Sequence, residues 1–267
     1  MLASSTPDAL WSAPSLRVLR PSAVACQDVV HGRALRGCSL SIAAGTRLLV
    51  VGDPEGGASA LVRVLAGLSR PRHGHITIAG LEGATAIRQR RVAHLGPDPG
   101  MPAWMTPREA LRLAAELAGL GGASAARETE RVVAHARIPG HELDRPIRRA
   151  GPALAQRTGL AAALLGDPEV LLLDEPLRSL EAEERVALLR LPGRRRTVVL
   201  ASRYPASEAG IVSHVALVRH GTIAVLARVE ELATHRLPLT HRGIGALADR
   251  AAGSGASPAA RPVVTPR

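Results

Sequence analysis

The chain has 267 residues, enough to bury a full hydrophobic core in one large domain or two small ones. Its net charge of +11 comes from arginine alone, since there is no Lys, and with no Phe, two Trp and one Tyr it lacks the aromatic platforms that base stacking requires. These numbers weigh against a nucleic-acid-binding protein and favour a solvated Arg-rich surface. No apolar run approaches 18 residues, and the N-terminus lacks the basic start and hydrophobic centre of a secretory signal.

Residues 1 to 20 mix Ser, Pro, Ala and Arg without periodicity, and they are expected to be disordered. From Ala23 the stretches AVACQDVV, CSLSI and HITIA predict short strands of a small antiparallel layer, with Cys26 and Cys38 as buried free thiols of a reducing compartment. Thr46 to Val51 predicts a strand buried on both faces, and Leu61, Val62, Val64 and Leu65 give the helix after it an apolar side. His73 and His75 have metal-ligand spacing but no third ligand near them. RVAHL at 91 to 95 predicts another strand. Thr106 and Pro107 then open a helix to about residue 120, followed by helices at about 123 to 137 and 153 to 166. Interrupted by Gly, Pro and Arg runs, this insertion, about 98 to 166, is expected to form its own lobe with sparse contact to the core.

EVLLLDEP, residues 169 to 176, predicts an apolar strand carrying two acids at its C-terminal end, the edge on which open parallel sheets place their chemistry. A helix at about 179 to 190 follows, with Glu181 and Arg185 at supportive i,i+4 spacing. TVVLAS predicts one more strand and HVALVRHGTIAVL a hairpin around His220 and Gly221. Residues 236 to 267 are expected to be a largely disordered extension.

The stretch between the Thr46 strand and its helix carries the chemistry. Gly52, Asp53, Pro54, Glu55, Gly56, Gly57, Ala58, Ser59 and Ala60 fall in register with the phosphate-binding pattern of Gly, four residues, Gly, Lys and Ser or Thr, with Ala58 in the lysine's place. In that pattern backbone N–H groups hold the phosphates, the lysine neutralises their outer oxygens and the hydroxyl meets Mg2+. Ser59 supplies that hydroxyl, while Glu55 adds an anion. At an effective dielectric near 20 and about 5 Å, each unit-charge term is on the order of 3 kcal/mol. Two such terms remove most of a micromolar affinity, worth roughly 8 kcal/mol.

The order of glycine loop, helical insertion, LLLDEP and terminal strands resembles the ATP-binding cassette, the nucleotide-binding domain of ABC transporters, over about residues 21 to 235. The runs VLAGLSRPRHGHITIAG, GDPEVLLLDEP and HGTIAVLARVEEL carry the likeness. It implies an α/β P-loop NTPase with a RecA-like core, an antiparallel β layer and a helical subdomain. It further implies a cytoplasmic protein, peripheral on the inner face of the membrane, that works with a transmembrane transporter subunit and pairs with a second cassette as homodimer or heterodimer. ATP and Mg2+ are the implied cofactors, with Ser59 and Asp174 on the metal, Glu175 as catalytic base and His31 where an aromatic stacks on adenine. Three other features depart from the family. The signature LSGGQ becomes Ala150, Gly151, Pro152, Ala153 and Leu154, the glutamine facing the membrane partner becomes Pro97, and the switch histidine becomes Arg203. Proline offers no N–H.

These losses predict weak or absent ATP binding and an accessory or pseudo-ATPase subunit. The stretch from Gly96 to Leu120 resembles exporter-type cassettes. Two readings stand beside it: an active ATPase in which arginines replace the lysine, and an Arg-rich nucleic-acid-binding protein on a cassette scaffold.

Overall fold

A computed structural model describes residues 22–52, 57–191 and 196–253. The disorder expected for residues 1 to 20, and Asp53, Pro54, Glu55 and Gly56 of the loop, lie outside them. The chain opens with β1 (Ser22–His31) and β2 (Leu35–Ala43), continues through β3 (Arg47–Gly52) and α1 (Gly57–Leu65), and returns in β4 (His73–Ile78), β5 (Leu81–Glu82) and α2 (Gly83–Arg88). After β6 (Val92–Leu95) come α3 (Pro107–Leu117), α4 (Gly122–His135), α5 (Ile147–Ala150) and α6 (Pro152–Leu164). The last part holds β7 (Val170–Asp174), α7 (Ala182–Leu189), β8 (Thr197–Ala201), β9 (His214–Arg219), β10 (Thr222–Arg228), α8 (Val229–Thr234) and α9 (His241–Gly253).

One sheet runs β10-β9-β3-β8-β7-β6, parallel except for the β9/β10 hairpin, and the other is antiparallel in the order β2-β1-β4-β5. Successive side chains of a strand point to opposite faces. Leu48 and Val50 therefore join Leu172 and Val199 in a core shared with α1 and the antiparallel layer, while Leu49 and Val51 join Leu171, Leu173 and Leu200 on the other face. Both faces being covered is what an uninterrupted Val and Leu strand requires. The hairpin turns through His220 and Gly221, both at positive φ (51° and 79°), as a two-residue turn between right-twisted strands demands.

At the start of α3 the Thr106 hydroxyl accepts from the Glu109 amide at 3.2 Å, while the Glu109 carboxylate accepts from the Thr106 amide at 2.9 Å. Three expectations are corrected. The helical insertion is not sparsely attached: Leu111, Val132, Leu160, Ala161 and Leu164 belong to the same buried cluster as Leu49, Val51 and Leu171, because α6 lies along the sheet face those residues leave open. Arg185 does not support α7 through Glu181; its guanidinium turns inward and donates to Glu208 Oε1 at 3.3 Å. The extension from 236 contains α9, whose Ile244, Leu247 and Ala248 are buried. Gly243 and Gly245 weaken its propensity signal, and burial of the apolar side offsets that cost.

His214, 2% exposed at the start of β9, lies 2.8 Å by Nδ1 from Ser213 Oγ. Burial first, and Arg228 next, push its pKa down to about 4, with Glu230 and Glu231 opposing. Folding thus favours the neutral ring. Its stabilisation is complete above the ordinary value near 6.5 and is lost as pH falls from there toward 4, about 2 kcal/mol of it by pH 5. Urea unfolding at pH 7 and pH 5 should show that loss in the native chain, and His214→Gln should flatten it.

Candidate functional site

The carboxyl edge of the parallel sheet opens into a cavity of about 930 Å³ lined by Gly52, Ala58, Ser59, Pro97, Asp174 and Glu175, with Arg178, Arg203, Arg219 and His241 completing the wall. The register of the sheet assembles it. β3 ends at Gly52, beside Val218 of β9, and β7 ends at Asp174, beside Ala201 of β8. Neither Gly52, at the end of β3, nor Gly57, at the start of α1, has room for a side chain. A Cβ on Gly52 would lie 2.8 Å from the Ala58 nitrogen, and one on Gly57 would lie 2.5 Å from Val218 Cγ1.

Ser59, in the first turn of α1, donates to Asp174 Oδ1 at 2.6 Å, so the hydroxyl and the first acid meet although 115 positions separate them. A hydroxyl and a carboxylate side by side are the hard oxygen donors that Mg2+ takes, and this part of the site fits the metal. Glu175 follows with φ 46°, a left-handed conformation uncommon for a residue other than glycine, and its amide donates to the Ala201 carbonyl at 3.0 Å. Arg203, in the loop after β8, donates from Nε to Glu175 Oε1 at 3.2 Å. Where the family pattern has a lysine, Ala58 contributes only a methyl group to the cavity wall.

The remaining predicted positions divide. Pro97 lines the cavity, and its carbonyl accepts from Gln156 Nε2 at 3.0 Å. Ala60 packs on α1 against the core shared with the antiparallel layer. Gly151, Pro152 and Ala153 lie apart from the cavity: Gly151, at φ 85°, precedes α6, and Pro152 takes its first position. His31, at the end of β1, lies 3.1 Å by Nδ1 from the Arg70 carbonyl and is likewise absent from the cavity wall.

Residues not singled out from the sequence also serve the site. Gln156 is 3% exposed and joins two loops of the site, since its Oε1 also accepts from the Ser179 amide at 2.9 Å. A lone buried glutamine in an Ala-rich helix was the available signal. Arg178, Arg219 and His241 reach the cavity from segments with no motif of their own. Arg63, the basic residue nearest the loop in sequence, faces solvent instead. His94, on β6, has a buried Nε2 without a hydrogen-bond partner among the described residues. Burial holds its pKa below the ordinary value, against the pull of Asp174 and with a smaller push from Arg63.

A parallel sheet with a glycine turn and two acids on its carboxyl edge, an antiparallel layer and a helical insertion defines the P-loop NTPase fold of the ATP-binding cassette. Residues 35–178, more than half of the chain, match the family model for ABC transporter, and the chain belongs to that family. The aliphatic sulfonates import ATP-binding protein SsuB 1 of Rhizobium johnstonii is 29% identical over 80% of this chain and 80% of its own. The taurine import ATP-binding protein TauB of Mesorhizobium japonicum is 33% identical over 70% of this chain and 67% of its own. The structure of a bacterial Atm1-family ABC exporter with ATP bound shares the fold at a TM-score of 0.69 and 24% identity, over 90% of this chain and 44% of that one.

The crowding at Gly57 predicts that Gly57→Ala costs about 1–3 kcal/mol, because Val218 is stiff at χ1 and the Ala34 carbonyl blocks the other side. Thermal unfolding of the variant should show the loss, whereas Ala58→Ser beside it should stay close to the native midpoint.

Proposed function

We propose that the chain is the ATP-binding subunit of an import-type ABC transporter in which nucleotide binding is weakened and hydrolysis is slow or lost. Three observations carry this reading: Ser59 and Asp174 are in contact, Glu175 is covered by Arg203, and Ala58 stands where the phosphate-binding cation belongs. The import names of the relatives favour import over the exporter likeness of residues 96 to 120. The fold does not separate the two, since the exporter shares it.

In this reading residues 21 to 235 are the cassette and about 98 to 166 its helical subdomain. The loop from Gly52 to Ala60, Asp53 to Gly56 included, cradles the phosphates of ATP through backbone N–H groups. Ser59 and Asp174 hold Mg2+, which when bound offsets charge on the phosphate oxygens. Glu175 is the base for an attacking water, and its carboxylate has to be free of Arg203 to accept the proton. His31 offers an imidazole to the adenine. Pro97 and the stretch from Ala150 to Leu154 leave the contacts to the membrane subunit and the second cassette impoverished, so this chain damages both composite sites of a pair. Its place is cytoplasmic, against the membrane-embedded partner. Among the described residues no helix is long and apolar enough to cross a membrane.

The cavity wall favours one competing reading, an active ATPase. Arg178, Arg203 and Arg219 bring guanidinium groups to the cavity from which the lysine is missing. Calorimetric titration with Mg-ATP followed by phosphate release separates the two. Weak binding without steady turnover is the expected result, and tight binding with steady hydrolysis by the native chain overturns the proposal.

The charge argument also predicts how the site is repaired. Ala58→Lys alone should recover little affinity, because Glu55 pairs with the new ammonium. Glu55→Gly together with Ala58→Lys changes the local charge by two and should bind ATP markedly better in the same titration. Turnover should stay low, since Arg203 and Pro97 are unchanged.

A further inference from the structure

Arg203 covers Glu175, yet charge attraction alone does not hold it there. Its side chain is 69% exposed, and an ion pair open to solvent contributes about 0–1 kcal/mol, little against the freedom of a long side chain. The backbone of residues 202 to 208 therefore has to be held in place. From inside, Arg185 donates to the buried Glu208 carboxylate, which also accepts from Ser202 Oγ at 3.4 Å, and Ser202 Oγ accepts from the Tyr204 amide at 3.1 Å. From outside, the one side chain that bonds Arg203's own backbone among the described residues is His241, with Nε2 lying 3.2 Å from the Arg203 carbonyl oxygen.

His241 is the first residue of α9, and α9 is anchored independently of that contact. Ile244, Leu247 and Ala248 are buried, and Asp249 accepts from Arg219 at 2.6 Å. Gly245 lets the helix approach that arginine, since a Cβ there would meet Arg219 Nη2 at 3.1 Å. The imidazole is thus presented by a docked helix rather than by a loose tail.

We propose that His241 is a positioning residue: by donating from Nε2 to the Arg203 carbonyl it keeps Arg203 on Glu175, so the helix after the cassette governs whether that carboxylate is free. The functional weight rests on Glu175 as the water-activating position, as read above. The contact itself does not.

The test follows the Arg203 Nε–H correlation in 15N spectra of the full chain, assigned by its loss in Arg203→Ala. Glu175→Gln should move the signal. His241→Ala should move it toward the position of a solvent-exposed arginine and speed its exchange with water about fivefold, the factor that corresponds to about 1 kcal/mol for one net hydrogen bond. His241→Gln, whose amide nitrogen reaches the same carbonyl, should leave it near the native position. A signal unmoved in His241→Ala, or equally displaced in His241→Gln, overturns the proposal, as does one that ignores Glu175→Gln. If the methyl groups of Ile244 and Leu247 shift in His241→Ala, the effect belongs to helix docking and the assignment to His241 falls. ATP titration of the native chain reports separately on the proposed function, because none of these readouts requires nucleotide.

Discussion

Burial of the parallel sheet on both faces is the constraint from which the rest of the structure follows. Because side chains alternate along β3, β7 and β8, one set of Val and Leu residues needs α1 and the antiparallel layer, and the other needs α6 and the helical insertion. With both faces spent on packing, polar chemistry is confined to the edges. At the carboxyl edge the strands end on backbone and acid groups, and there Ser59, Asp174 and Glu175 come together.

What the edge can do is decided by charge. The Ser59 hydroxyl bonded to Asp174 places together two hard oxygen donors of the kind that Mg2+ takes. Where the family pattern has a lysine this chain has Ala58, and the cations on the cavity wall are arginines. A lysine held in the loop is a point charge aimed by backbone geometry, whereas Arg178, Arg203 and Arg219 arrive from three other segments, and two of them already serve carboxylates. Net charge is therefore a poor guide to affinity here. Position and prior pairing decide whether a guanidinium is available to an anion.

The sequence was a good guide wherever one residue type satisfies one local requirement. Glycine at 52 and 57 marks two positions with no space for a Cβ, Thr106 with Glu109 closes a helix end, and the hydrophobic run ending in Asp174 and Glu175 describes a strand buried on both faces with its acids at the rim. It was a poor guide where the partner is remote. Arg185 looked like the mate of Glu181 one helical turn away, but α7 faces the loop after β8, and the guanidinium pairs with Glu208 instead. The glycines of α9 hid a helix that only packing against the rest of the fold makes stable.

The sequence by itself determined the α/β class of the fold and placed Gly52, Gly57, Ala58 and Ser59 between a buried strand and its helix, because these depend on periodicity and on residues adjacent in the chain. Only the tertiary structure decided that Arg203 lies on Glu175, that Gln156 joins two loops of the site, and that His241 reaches the Arg203 carbonyl. The physical reason is distance along the chain: each of those contacts joins residues 23 to 59 positions apart, and no local propensity encodes which segments the sheet register and the two buried faces bring together.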